Sequence, residues 1–239
     1  MGLKKDHGIV LRGYPFGDAD RVVVILSPNH GKLRTVAKGV RKTKSRFGGR
    51  LEPFTHVEVG LYEGRNLDTI TSVSVIEAFP RLRENLDSVM KGGTMLEAAD
   101  AIAVEGEGAH RLFLLMQRGL RALDRGHDHP DLIAAYLLKV AEVVGVAPSL
   151  RHCASCGTPG DHALFSFPAG GVLCEACGIA GAARLRPGVA SYLADLAGSD
   201  FTEMPGHNAS FSGEAMGITR RFVEYHLERQ LRSLALLED

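Results

Sequence analysis

Four cysteines are the residues best suited to chemistry in this chain. Cys153-Ala-Ser-Cys156 and Cys174-Glu-Ala-Cys177 form the spacing C-x₂-C-x₁₇-C-x₂-C. Two residues between thiols let each pair reach one tetrahedral ion through metal–sulfur bonds of about 2.3 Å, and two such pairs make a zinc-ribbon pattern. Four thiolates fill the coordination sphere. The expected Zn²⁺ is therefore a single structural ion with no open position for a substrate. Gly157 and Gly178 follow the second cysteine of each pair. A glycine there can take positive φ and turn backbone amides toward the sulfurs. Two separate disulfides are the competing reading, and the paired spacing favours the metal. His152 adjoins Cys153 and is expected at the surface rather than on the ion.

A second group of residues could bind rather than react. Gly31 to Arg50 reads GKLRTVAKGVRKTKSRFGGR and carries Lys32, Arg34, Lys38, Arg41, Lys42, Lys44, Arg46 and Arg50 with no acidic residue. The whole chain is balanced, with 28 basic and 28 acidic residues. Residues 1–50 hold twelve Lys and Arg against Asp6, Asp18 and Asp20, so the other 189 residues carry a net excess of nine negative charges. Such an asymmetry is the footprint of a polyanion-binding module joined to an acidic one. Clustered cations neutralise backbone phosphates and release counterions without reading sequence. A merely solvated loop fits less well, because no acid compensates the charge. Phe47 lies among the cations, where it can either stack on a base or anchor the loop in a core. Gly48-Gly49 permits close backbone approach.

No enzymatic motif accompanies these groups, and the chain is read as a non-enzyme. Leu26 stands where a P-loop needs its first Gly, and Leu33 follows Gly31-Lys32 where Ser or Thr is needed. Gly106-Glu-Gly108 leads to Arg111 and not to Gly, so no dinucleotide fingerprint exists. Asp18 and Asp20 could hold a metal in a nuclease, but Gly17-Asp18 reads better as a turn.

The elements that must position these residues follow from hydrophobic period. Arg21 to Ser27 is a β-branched run closed by Pro28-Asn29-His30-Gly31, and a second strand is expected at Lys32 to Ala37. Val57, Val59 and Leu61, then Val73 and Val75, keep a period of two, with Gly64-Arg65-Asn66 as a hairpin connection. About five short strands in eighty residues suit a small barrel, OB-fold or SH3-like. After Pro80 the period becomes helical. Leu82, Leu86, Val89, Met90 and Leu96 form one set, with Gly92-Gly93 weakening that helix or marking its start. Leu112, Leu115, Met116 and Leu123 form the next. Leu132, Ile133, Tyr136, Leu137, Val140 and Val144 form the third. A cysteine module at about 150–182 is followed by a helix from Pro187 to Leu196 and a last one from Glu214 to Leu234. In that last helix Val223, Leu227, Leu231 and Leu234 share a face. No apolar run approaches the roughly 20 residues of a membrane span, and residues 1–6 hold no apolar signal core, so a cytoplasmic protein with no membrane contact is expected.

The N-terminal strings carry a resemblance. Gly8-Ile-Val-Leu11, Gly17-Asp-Ala-Asp-Arg21, His30-Gly31-Lys32, Ala37-Lys-Gly-Val-Arg41 and Ser45-Arg-Phe-Gly-Gly-Arg50-Leu-Glu-Pro-Phe54 occur in the order found in the bacterial recombination-mediator family RecO. The chain resembles that family over most of its length. The resemblance implies an α+β fold, with an N-terminal OB-fold barrel at 1–80 and a helical domain at 81–239 that carries an inserted C4 zinc-ribbon-like module. It implies binding of single- and double-stranded DNA and annealing of complementary strands. It also implies loading of RecA, together with RecR, onto DNA coated by single-stranded DNA-binding protein, and a nucleoid-associated location. Other members lack the four cysteines, which implies that the metal is not needed for the shared function. An RNA- or ribosome-associated OB/zinc-ribbon protein is the rival expectation.

Overall fold

The computed structural model describes residues 2–237. The chain divides into two compact units, Met1–Gly126 and His127–Asp239.

The first unit is built on five strands. They are β1 (Leu3–Phe16), β2 (Asp20–Ser27), β3 (Gly31–Ala37), β4 (His56–Tyr62) and β5 (Asp68–Glu77). They close into a barrel in the order β1-β2-β3-β5-β4, with β3 and β5 parallel and the other neighbours antiparallel. This is the OB-type arrangement that the strand count and the resemblance pointed to. Val10, Val23, Ile25, Leu33, Val57, Val59, Leu61 and Ile70 fill the interior. Val22, Val24 and Leu26, the alternate residues of β2, are also buried, because helices lie against the outside of β1 and β2. A strand covered on both faces reads as a continuous apolar run, which is why this one stood out in the sequence.

β1 was not announced by the hydrophobic pattern. Its 14 residues serve two neighbours: Leu3 to Ile9 pair with β4, and Ile9 to Phe16 pair with β2. A register shift between Val10 and Arg12 bends the strand between these roles. Both ends are exposed, so only Ile9, Val10 and Leu11 at the bend look like a core strand.

Two helices complete the unit, α1 (Leu86–Ile102) and α2 (His110–Asp124). The Asn85 side chain caps α1 by accepting from the Ser88 amide at 3.1 Å. Gly92-Gly93 therefore lies inside α1 and not at its start. A Cβ on Gly92 would stand 3.0 Å from the Phe54 ring, so the glycine admits that ring against the helix. Leu86, expected on the packed face, is 76% exposed because it opens the helix. The turn between β2 and β3 is clasped by the connection between the helices. Lys32 donates its amide to the Val104 carbonyl at 3.0 Å, and Gly106 donates to His30 at 3.1 Å. Gly31 sits between them at φ +63, where a Cβ would meet the Glu107 and Val104 carbonyls.

The second unit centres on α3 (Leu132–Val143), buried on nearly every side, with α4 (Val189–Gly198) and α5 (Ala209–Leu227) packed on it. Between α3 and α4 lies a small sheet in the order β7-β6-β8, formed by β6 (Leu164–Ser166), β7 (Gly171–Leu173) and β8 (Ala183–Arg184). The last helix departs from expectation. It starts five residues early, where Asn208 caps it, and ends at Leu227 with Glu228 left-handed at φ +51. The Glu224 carboxylate then accepts the Leu231 amide at 3.1 Å. Leu231 and Leu234 are buried, but from the reversed segment beyond the helix, not from one continuous helical face.

Asp131, 1% exposed, ties this unit together. Its carboxylate accepts from the Tyr192 hydroxyl at 2.7 Å, His207 Nδ1 at 2.9 Å and the Ser212 hydroxyl at 2.5 Å. Burial pushes its pKa up, but hydrogen bonds from Ser212, Tyr192 and His207 outweigh this and hold it below the ordinary 3.8. A carboxyl whose folded pKa is depressed stabilises the fold at higher pH, and that contribution fades as pH falls through the unfolded and then the folded value. Asp131→Asn is therefore expected to lower the neutral-pH melting temperature by several degrees, through about 1–3 kcal/mol of lost charged hydrogen bonding. It should also flatten the decline of stability below about pH 4. An acid limb as steep in the variant as in the wild type would remove Asp131 from this role.

Candidate nucleic-acid interface and metal centre

The basic segment leaves the barrel at the end of β3 and runs as an irregular loop to a 3₁₀ turn at Gly48–Leu51. Both ends are fixed. Near the start, the Gly39 amide donates to Asp20 Oδ1 at 2.7 Å and the Arg41 amide to the Ala19 carbonyl at 3.0 Å. At the far end, Phe47 and Leu51 enter the barrel interior and are 1% exposed each. The stacking role considered for Phe47 is overturned: its ring is a core anchor, with the Arg46 guanidinium 4.7 Å from its centroid. Asp20 serves as the acceptor that holds the loop, and Asp18 lies in the turn between β1 and β2.

The cations divide into two sets. Lys38, Arg41, Lys42, Lys44, Arg46 and Arg50 are exposed along the loop. Among the described residues none of these six makes an ion pair with a carboxylate. Arg41 donates weakly to the Gly17 and Asp18 carbonyls at 3.4 Å, and Arg50 to the Arg46 carbonyl at 3.3 Å. The two strand residues are committed elsewhere. Lys32, 17% exposed at its side chain, pairs with Asp100 Oδ1 at 3.2 Å and also donates to the Asp100 carbonyl. Arg12 takes the other Asp100 oxygen at 2.8 Å. Burial raises the Asp100 pKa, but these two cations pull it lower than usual. Arg34 is exposed and donates to the Tyr14 hydroxyl at 3.2 Å, with Glu105 at 3.8 Å. Arg12, Tyr14 and Phe16, alternate residues of β1, carry no clear signal in the sequence. Their period of two was masked because Gly13 and Pro15 between them are not polar partners in an alternation.

The cysteine module gathers Cys153, Cys156, Cys174 and Cys177 so that all four sulfurs lie within 4.8 Å of one another. None of the four is in a disulfide. Cys156 Sγ and Cys174 Sγ are 3.8 Å apart, which matches the edge of a tetrahedron with bonds of about 2.3 Å. The donor set fits a metal ion. The first pair sits on a turn closed by the Gly157 amide donating to the Cys153 carbonyl at 2.8 Å, and the Ala154 amide binds that turn to β7 at 2.7 Å. The second pair sits on the 3₁₀ turn Glu175–Cys177. Gly157 takes φ +75 as expected, whereas Gly178 has φ −58. The 3₁₀ turn already aims the second pair. Gly178 instead leaves room for Leu164, whose Cδ1 would lie 2.9 Å from an added Cβ. His152 is exposed and outside the thiol cluster. Backbone amides of Cys156 and Cys174 bring the Cys153 thiol down to about 6, while the neighbouring Cys174 thiol pushes Cys177 up to about 12. As four thiolates at this spacing the cysteines would repel one another, and a bound cation would offset that repulsion.

Two family descriptions match in sequence. Residues 1–79 match "Recombination protein O N terminal" and residues 83–235 match "Recombination protein O C terminal". Proteins named DNA repair protein RecO are similar along their whole length. The one from Thermobifida fusca (strain YX) is 41% identical, over 100% of this chain and 99% of that protein. The one from Nocardioides sp. (strain ATCC BAA-499 / JS614) is 43% identical, over 99% of each. The one from Frankia casuarinae is 42% identical, over 100% of this chain and 99% of that protein.

Proposed function

This chain belongs to the RecO family of DNA repair proteins, whose role lies in recombinational repair, and on that premise we propose that it binds single- and double-stranded DNA and anneals complementary strands. With RecR, it then helps RecA onto DNA coated by single-stranded DNA-binding protein. The observation that carries the DNA-binding part is the exposed loop of six cations, free of carboxylate partners among the described residues and pinned at both ends to a closed barrel. Pinning holds the cations in place while their charges stay in water, so little is lost in conformational freedom when phosphates replace counterions.

Annealing follows from the same physics. Two strands repel one another, and a basic surface that holds both screens that repulsion. Phosphate contacts carry no sequence information, so base pairing alone decides which strands join. No step consumes a nucleotide, in keeping with the missing P-loop. Cys153, Cys156, Cys174 and Cys177 would hold one Zn²⁺, which when bound cross-links two turns that share little core. The ion acts on the fold and not on the DNA.

The test is an annealing assay on complementary labelled oligonucleotides, bare and coated with single-stranded DNA-binding protein, without nucleotide. Faster strand joining at stoichiometric protein is expected. Unchanged annealing of bare strands, together with no binding to either DNA form, would overturn the proposal.

A further inference from the structure

We propose that the hairpin joining β1 and β2 is a stacking platform for the bases of a single strand, with Tyr14 and Phe16 as the rings. This inference rests on the DNA-binding reading above and adds the part of the ligand that the cations do not touch.

Arg12, Tyr14 and Phe16 are alternate residues of β1, so their side chains share one face of the strand. Phe16 is 49% exposed, although a large apolar ring is normally covered. Tyr14 is half-buried and held from two sides. The Arg12 guanidinium lies 5.5 Å from its ring centroid, and Arg34 donates to its hydroxyl at 3.2 Å. Arg12 is itself fixed by Asp100 at 2.8 Å. The ring is thus positioned before any ligand arrives, which reduces the ordering that binding costs.

The strip continues into the basic loop. Phe16 ends β1, and Gly17 and Asp18, whose carbonyls Arg41 reaches at 3.4 Å, come next. The Arg41 amide meets the Ala19 carbonyl of the same turn. Two rings and a cluster of cations that make no ion pair among the described residues therefore adjoin. Nucleic acid is the ligand whose chemistry asks for both, since flat apolar bases alternate with phosphates along it.

The spacing favours single strands over duplex. Residues two apart on a strand are separated by about 7 Å. Bases stacked in a duplex advance about 3.4 Å per step and leave no gap for a ring. An extended, unstacked strand can offer one base to each ring while its backbone crosses the loop.

The experiment compares wild type, Phe16→Ala and Phe16→Leu for binding to mixed-sequence single-stranded and duplex oligonucleotides across a salt series, with a thermal melt of each protein. Phe16→Ala and Phe16→Leu should each weaken single-strand binding on the order of tenfold. Duplex affinity and the salt slope should stay unchanged, because no phosphate contact is lost. Since the chain contains no Trp, Phe16→Trp supplies a sole fluorophore whose emission should be quenched by single strands and not by duplex. Single-strand binding by Phe16→Leu equal to wild type, or an unquenched Trp at saturating single strand, would overturn the proposal. So would equal weakening on both DNA forms, which would mean that the ring only shapes the hairpin. A wild type that binds neither form would instead remove the DNA-binding reading beneath it.

Discussion

Changing Arg41, Lys42 and Lys44 together to Glu should reduce affinity for every DNA sequence on the order of a hundredfold or more at low salt. That figure takes about 1 kcal/mol for each of three cations near an anionic surface, before counting the repulsion of the new carboxylates. The salt dependence is the sharper readout. Each phosphate contact contributes roughly 0.7–0.9 to the log–log slope, so losing three should flatten it by about 2 to 3 units. Annealing should fall in step, because a strand that is not held is not screened. The fold should survive, since all three side chains are exposed and, among the described residues, the only side-chain bonds lost are the 3.4 Å contacts of Arg41. The measurement is a salt titration of single-strand binding for both proteins, with a thermal melt of each. A triple variant that melts normally and binds with unchanged affinity and slope would show that the loop is only solvated charge.

Lys32 and Arg34 make a useful contrast to those three. Both stand in the same acid-free stretch of sequence, and sequence alone ranks them with the loop. Their partners come from far along the chain: Asp100 at the end of α1 for Lys32, Tyr14 and Glu105 for Arg34. Sequence proximity shows which charges are unbalanced locally, but not which are balanced by the fold. Lys32→Gln should accordingly act mainly through stability.

The same distinction separates what the sequence disclosed from what it concealed. β2 was legible because it is covered on both sides and must be apolar throughout. The cysteines were legible because coordination demands fixed types at fixed spacing. β1 was concealed because a strand that bends between two neighbours shows its core character only at the bend. Phe47 was ambiguous because an aromatic among cations looks the same whether it turns in or out, and only the closed barrel decides that it turns in. The end of α5 was misjudged because leucines at helical spacing continue past the place where Glu228 goes left-handed and the Glu224 carboxylate captures the Leu231 amide. A side-chain acceptor four residues before the stop leaves no trace in hydrophobic period. Of the two expectations for the α1 glycines, the helix start is the one the structure excludes: propensity penalises them inside a helix, whereas the fold uses Gly92 to bring Phe54 close.

Removing the metal should have the other large effect, and on a different property. The module around the cysteines has only short strands and a small core, with Leu150, Phe165, Val172 and Leu173 buried, so cross-linking through sulfur has to supply much of what a larger core would. Structural zinc in small modules binds with about 10–16 kcal/mol at neutral pH, which equals or exceeds the whole stability of a typical domain. The chain purified without chelator is expected to hold zinc in about equal molar amount. Cys153→Ser should lose most of it, because Cys153 is the buried member of the set. Unfolding should begin in the module, visible as rapid amide exchange or protease cutting across residues 150–182 at temperatures where the wild type is protected. DNA binding should persist in the same variant, since every residue proposed to touch DNA lies in residues 1–126. Elemental analysis, exchange mapping and a binding titration on one pair of proteins decide all three points. Protein without zinc as purified would overturn the metal assignment. A Cys153→Ser variant that keeps its fold but loses DNA binding would move the interface away from the basic loop and toward the cysteines.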